Sequence, residues 1–573
     1  MNKTDAFRHV WVTSPILFVA ACLMPGNALP ASLVVNPANP NADDAGAASE
    51  THPLRTISAA MKRLQAGDRV FIAAGKYREP ILLPSLQWAG APETVIEGDA
   101  RGRTLIIGSA IFTNWRDAGK GSGRFAAPIG YEPEQVFVDG EPLQQIGGTV
   151  FGGYPGLPNH PLAPLFAGAG GGVWPGRATG DRSSMPVNSF HYDKQSADVM
   201  IRIAAGNPAG HVIEVAALTR VLSASGVERL VIRNLGFEHS NTTAGGRGGA
   251  VQIDGSNVRI ENVTIRRADG ACLGMTGANH QIISSSFSEC GQMGIGGRGD
   301  GWRIEDVTVT RNNTRGFNKW WEAGGAKFVG DGGLTNATIS RFRAIGNFGD
   351  GLWFDYKNHD NRITDSLFAS NAGFGLHLEI SKAFTVDNNV MIGNRQRGLY
   401  VRQTSDSIIA FNLIAENGLD GVAIIDEGQR DPRGETDYRV RNNWVVANVI
   451  AWNQIALTMP EPLDDNQSDG NVFLGDASAN IVRIGWTRAI SKADWIAKSL
   501  DVNSEWIELP KTERPGMDAT QPIDIRLKPY WTMREKLRPL SQALVPLLKA
   551  RAPAMMNRTD PKPGPATAGW SRP

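Results

Sequence analysis

The chain has 573 residues, a formal net charge of +1, 65 glycines and only 3 cysteines. Near-neutrality argues against nucleic acid or an acidic membrane face as the main partner. High glycine with few cysteines fits a turn-rich β-protein, long enough to bury a large core without a disulfide framework.

The N-terminus predicts a targeting segment over residues 1–31. Lys3 and Arg8 give a positive start, and residues 10–24 are mostly apolar but too short for a comfortable membrane span. Two processing readings stand. Small residues around Gly26 and Ala28 suit ordinary signal cleavage, the preferred reading, and Val19-Ala-Ala-Cys22 is similar to a lipoprotein cleavage box that would leave Cys22 as a lipid anchor. Either way the expectation is export, to the periplasm or beyond.

Residues 32–109 predict an N-terminal cap and first coils. Ile57, Ala60, Met61 and Leu64 keep helical spacing from Thr56 to Ala66, and Gly67 ends the run. Asp68–Ala73 alternates as a strand. A helix over the open end of a stacked sheet hides an edge that would otherwise aggregate. Between 110 and 222 strand-like runs (Gln135–Gly140, Val199–Ile203) lie among long glycine- and proline-rich stretches, predicting a small inserted β-domain with site-shaping loops.

A repeat fills residues 223–475. Asn347, Asn371, Asn394 and Asn417 are each followed four residues later by Gly351, Gly375, Gly398 and Gly421, and the glycines step by 24, 23 and 23 residues. Such a period marks stacked units that bury their apolar faces only against one another. After each glycine the pattern has period two, so the unit is a strand. Leu352, Leu376, Leu399 and Val422 form one apolar column, and Phe354, Leu378, Val401 and Ile424 another; both must face inward. Asn262, Asn388, Asn389, Asn442 and Asn443 recur at corners, where asparagine tolerates the left-handed backbone. Cys272 and Cys290 read as buried, inward, unpaired thiols, with pairing as the alternative in an exported protein. Asp464–Asp469 loosely resembles a calcium loop but lacks the closing glutamate, and reads as a solvated turn. Residues 476–548 predict a C-terminal cap with short helices at Ser491–Lys498 and Met533–Leu540, and 549–573 a disordered tail.

The outward positions carry the chemistry. One column runs Trp353, His377, Tyr400, Ala423 and the other Asp355, Glu379, Arg402, Ile425. Adjacent coils lie about 4.8 Å apart, so Asp355 and Glu379 stack directly. Two stacked carboxylates repel unless one is protonated or a cation intervenes, which is how a nucleophile and a proton donor are kept in different states. The bland alternative is a surface ladder neutralised by Arg402 and Lys327. Trp320, Trp321, Trp353, Tyr356 and Tyr400 supply flat faces for a sugar ring, with Glu322 beside the tryptophan pair. Lys327 falls one coil before Trp353, as a hydroxyl contact or the counter-ion of Asp355. His377 reads as a polar substrate contact rather than a metal ligand, since no second histidine has ligand spacing. No metal or cofactor is expected.

With these residues in view, Asp68–Tyr77, Val136–Gly140 and Val231–Phe237 resemble the β-helical glycoside hydrolases, including β-xylosidase and α-L-fucosidase types. The resemblance implies an all-β fold, a right-handed parallel β-helix with a small β-domain inserted near its start and short capping helices. It further implies a retaining hydrolase of plant or microbial oligo- or polysaccharides, a xyloside-like sugar favoured, with Asp355 as nucleophile and Glu379 as acid/base. Trp320, Trp321, Glu322, Lys327, Trp353, Tyr356, His377, Tyr400 and Arg402 would then bind the sugar. Two other readings stay open. One is a polysaccharide lyase or uronate epimerase with Lys327, His377 or Arg402 as base, against which the acidic pair would repel a uronate. The other is a carbohydrate-binding solenoid without chemistry.

Overall fold

The computed structural model describes residues 30–514 apart from 88–89, 120, 148–180, 243–247, 318, 320–321, 429–438, 477–480, 487, 511 and 513. The targeting segment with Cys22, the tryptophan pair Trp320 and Trp321, the helix expected at Met533–Leu540 and the C-terminal tail lie outside the described residues.

Each coil contributes one longer strand and two short ones, and coil stacks on coil in parallel. The result is a right-handed parallel β-helix with three long sheets of 13, 14 and 13 strands. The 14-stranded sheet holds the repeat. Leu352, Leu376, Leu399 and Val422 are register partners and fully buried, as are Phe354, Leu378, Val401 and Ile424. Period-two alternation sends these columns inward, because a one-residue slip would expose both.

The corners explain the asparagines, and here the sequence reading needed two roles rather than one. Asn262, Asn388 and Asn442 hold positive φ (51°, 59° and 54°), whereas Asn389 and Asn443 are the residues that follow and point inward. Inward asparagines of successive coils form ladders. At the corner before the repeat glycines, Asn347, Asn371, Asn394, Asn417 and Asn453 each present Oδ1 to the backbone N–H and Nδ2 of the asparagine one coil earlier, at 2.9–3.1 Å. Each Nδ2 also donates to a backbone carbonyl, as Asn394 does to Phe368 at 3.0 Å. Buried amides tolerate the interior only when so paired. The ladder also dictates the glycines: a Cβ on Gly375 would lie 2.6 Å from the Gly398 carbonyl oxygen and 2.8 Å from Asn394 Nδ2.

Cys290 occupies the first rung of this ladder, its backbone N–H bound to Asn312 Oδ1 at 3.0 Å. It is disulfide-bonded to Cys272, with Cα atoms 5.7 Å apart. The thiols are therefore paired, contrary to the sequence reading: both point into the same corner, which linear spacing does not show. Replacing both by serine should lower local stability by about 3 kcal/mol, read as faster hydrogen exchange in the coils around residues 265–312.

The N-terminal helix spans Ile57–Arg63, capped by the Thr56 hydroxyl on Ala59 N–H at 3.1 Å. It stops short of Ala66 because Leu64 turns extended (ψ 130°) and buries its side chain. Strands from Ser109–Ile111 to Ile213–Ala216 leave the coils and build a four-stranded and a five-stranded sheet around Val136, Phe190, Val199, Ile201 and Val215. Asn241 and Arg315 of the helix reach across to the Glu134 backbone. At the far end a helix at Lys492–Ala497, capped by Ser491, inserts buried Trp495, whose Nε1 donates to Asp501 at 2.9 Å. Asp464 and Asp465 form a left-handed turn, but Gln467–Asp469 is a strand with Ser468 and Asp469 buried, so the solvated turn is shorter than expected. Among the described residues no acidic or histidine cluster could hold a metal ion, and no helix is long and apolar enough to cross a membrane.

Candidate active site

Five strands of the 14-stranded sheet position the site: β1 (Gly324–Val329), β2 (Asp350–Asp355), β3 (Leu376–Lys382), β4 (Leu399–Ser405) and β5 (Asp420–Ile425). Their register makes Lys327, Trp353, His377, Tyr400 and Ala423 one outward column. Val329, Asp355, Glu379, Arg402 and Ile425 make the next.

The acidic pair is flanked by cations from both sides. Lys327 Nζ lies 2.9 Å from Asp355 Oδ2 and 3.2 Å from the Trp353 ring centroid. Arg402 binds Glu379 Oε1 and bridges to Glu427, while Trp353 Nε1 donates to Glu379 Oε2 at 3.0 Å. The two acids differ in solvation: the Asp355 side chain keeps 20% of its exposure and that of Glu379 only 6%. Burial, then the Asp355 charge, pushes the Glu379 carboxyl above the usual glutamate range against the pull of His377, Arg402 and Lys327. One acid is thus biased toward its protonated form beside a more open one held against an ammonium.

Behind the pair the rings form a stack. His377 lies between Trp353 (4.8 Å, 14°) and Tyr400 (5.0 Å, 27°), with the Phe374 edge at 5.0 Å. The rise between coils sets this spacing. Its side chain is 2% exposed, and Nδ1 sits 3.1 Å from Asp350 Oδ2. Tyr400 donates to Glu427 Oε1 at 3.1 Å, and burial followed by the Glu427 charge keeps its hydroxyl protonated. Of the remaining sequence candidates, Tyr356 is half-buried at φ 65° with Lys357 over its ring at 5.1 Å. Glu322 is half-buried and accepts from the Gln292 amide through its backbone carbonyl at 2.7 Å.

Sequence reasoning missed Asp350, Phe374, Arg397 and Glu427. The first three precede the repeat glycines in register and could have been read as a third outward column, continued by Asp420, which binds Arg397 at 2.8 Å. Glu427 follows β5 in an extended coil and carries no periodic signal.

A right-handed β-helix family model matches residues 249–414 and 335–473. Among solved structures, a complex of XylC with xylose is similar at TM-score 0.56 and 13% identity, over 79% of this chain and 86% of that one. A structure described as a glycoside hydrolase aligns at TM-score 0.46 and 10% identity, over 86% and 99%. The A-module of the Azotobacter vinelandii mannuronan C-5 epimerase AlgE6 aligns at TM-score 0.46 and 14% identity, over 79% and 93%. Among curated protein sequences none matches the chain. What the chain shares with the XylC structure is its fold, the right-handed parallel β-helix.

Proposed function

We propose that the protein is a carbohydrate-active enzyme, a retaining glycoside hydrolase with Asp355 as nucleophile and Glu379 as acid/base. The observation that carries this reading is their placement. They are register partners on adjacent parallel strands, with a lysine on one and an arginine on the other. Retaining enzymes hold their two carboxyls about 5–5.5 Å apart, close to the spacing of neighbouring strands, whereas inversion needs room for a water. Glu379 protonates the leaving oxygen as Asp355 attacks the anomeric carbon; the resulting glycosyl ester is cleaved by a water that Glu379, now ionised, deprotonates. Lys327, 2.9 Å from Asp355 Oδ2, orients the carboxylate for the attack.

The XylC neighbour was solved with xylose, so a xyloside is the first substrate to try. Action outside the cytoplasm is supported by the Cys272–Cys290 disulfide, which an oxidising compartment maintains. The test is a panel of chromogenic neutral glycosides set against uronate polymers. Release from a neutral glycoside supports the reading; unsaturated or epimerised uronate products, or binding without turnover, would replace it.

Because the acid form of Glu379 is needed and its carboxyl is pushed up, the alkaline limb of kcat/KM should lie above the ordinary glutamate range. Activity is lost as pH rises through it. Glu379→Ala should slow alkyl glycosides by about 10²–10⁴-fold while largely sparing glycosylation by substrates with good leaving groups, which need little protonation. A pre-steady-state burst with an activated aryl glycoside checks this.

A further inference from the structure

Buried polar atoms in folded proteins are almost always paired. His377 Nε2 is buried without a hydrogen-bond partner. A carboxylate oxygen, Glu379 Oε2, lies 3.8 Å away in the neighbouring outward column, beyond hydrogen-bond reach. On the other side of the ring Nδ1 is held by Asp350 Oδ2, and Asp350 Oδ1 is in turn fixed by the Phe374 N–H at 2.9 Å. Trp353 and Tyr400 clamp the ring plane, so the imidazole cannot turn to satisfy Nε2 elsewhere.

The chemistry of the two nitrogens follows from their partners. An ionised carboxylate only accepts, so Asp350 requires the proton on Nδ1, which leaves a lone pair on Nε2. A lone pair facing an ionised Glu379 would be repelled; facing a protonated one it is an acceptor. Both Glu379 oxygens face groups that only donate, Oε1 the Arg402 guanidinium and Oε2 the Trp353 Nε1–H at 3.0 Å, but only Oε2 also has an acceptor beside it, the His377 Nε2 lone pair at 3.8 Å, so a carboxyl proton is placed on Oε2. The other charged groups bearing on this ring are Lys327 above Trp353, Arg397 over Tyr400 and Phe374, and Glu427 on the Tyr400 hydroxyl.

We propose that Asp350 and His377 are positioning residues for Glu379. Asp350 keeps the imidazole proton on Nδ1, and the Nε2 lone pair so presented, 3.8 Å from Glu379 Oε2, disfavours the ionised carboxylate and so keeps the Glu379 hydrogen in place until a glycosidic oxygen takes it. The imidazole itself neither gains nor loses a proton in the cycle. This rests on the hydrolase reading for the use of the proton, but not for its location.

The test is Asp350→Asn. The asparagine oxygen keeps the Phe374 N–H, so its amide must donate to Nδ1. The imidazole proton is then forced to Nε2, where the N–H dipole faces Glu379 Oε2 and favours the carboxylate. Nitrogen-15 NMR of His377 in the unmodified protein should show Nδ1–H, and in the variant Nε2–H. Carbon-13 NMR should show the Glu379 carboxyl titrating about one pH unit lower in the variant. With an alkyl xyloside the alkaline limb of kcat/KM should move down by the same amount while KM is nearly unchanged. A purely structural role would lower activity without moving the limb. Nε2–H or imidazolium in the unmodified protein at neutral pH overturns the proposal, as does an unchanged Glu379 titration in the variant. The tautomer of the unmodified protein decides even if the variant does not fold. If no glycoside is turned over, the hydrolase reading falls while the two NMR measurements still decide this one.

Discussion

Asp355→Asn should abolish turnover, by about 10³-fold or more, with the fold intact. The amide fills the same volume and its oxygen still accepts from Lys327, which sits 5% exposed and would be costly to leave unpaired. What is lost is the charge and lone pair that, on the proposed reading, attack the anomeric carbon. In Asp355→Ala the vacated space admits azide, and any rescued product should be the glycosyl azide of inverted configuration. For the unmodified enzyme, NMR of the first-formed product should show the starting anomeric configuration. An inverted first product would refute the assignment of the pair, since no water would then have been excluded from between them.

The second large effect lies in the frame. Asn394→Ala removes a side chain that satisfies the Asn371 N–H and Nδ2, the Phe368 carbonyl and the Asn417 Oδ1. Asn371 Nδ2 keeps the Ala344 carbonyl and Asn417 Oδ1 keeps the residue-394 backbone N–H, so two groups lose their partner, the Asn371 N–H and the Phe368 carbonyl; at about 1–3 kcal/mol each, a loss of about 2–6 kcal/mol is expected. Because a solenoid's units couple only to their neighbours, the loss should appear as accelerated hydrogen exchange confined to residues near 368–421. Asn262→Ala, at a left-handed corner outside this ladder, should cost only about 1–2 kcal/mol. Equal effects at the two positions would mean that the ladder contributes nothing beyond backbone preference.

The same contrast shows what the sequence makes legible. The inward columns could be read because alternation is local: Leu352, Leu376, Leu399 and Val422 each announce their side by their neighbours. The stacking of Asp355 on Glu379 followed from the same register. The burial of His377 did not, because facing outward from a strand says nothing about what lies over it. The stack of Trp353, Tyr400 and Phe374 and the grip of Asp350 are products of coil-on-coil packing. The cysteine pair failed for a similar reason. Its two members lie within one coil, on a strand and at a corner, and only the three-cornered path brings them together. Glu427 was out of reach because the coil that carries it breaks the period.

That broken period has a consequence of its own. Most rungs connect residues 23 or 24 apart, yet Asn417 reaches Asn453, Asn412 reaches Asn448 and Ser407 reaches Asn443, each across 36 residues, with unchanged bond lengths of 2.9–3.2 Å. All three corners skip the same 13 extra residues (36 minus 23) and close as though they were absent. The register of the coils on either side is therefore set by the corners and not by the length of chain that connects them. A frame closed in this way tolerates a change in the length of one connection, so altering the chain length between Ile425 and Asn443 should leave all three ladders in place.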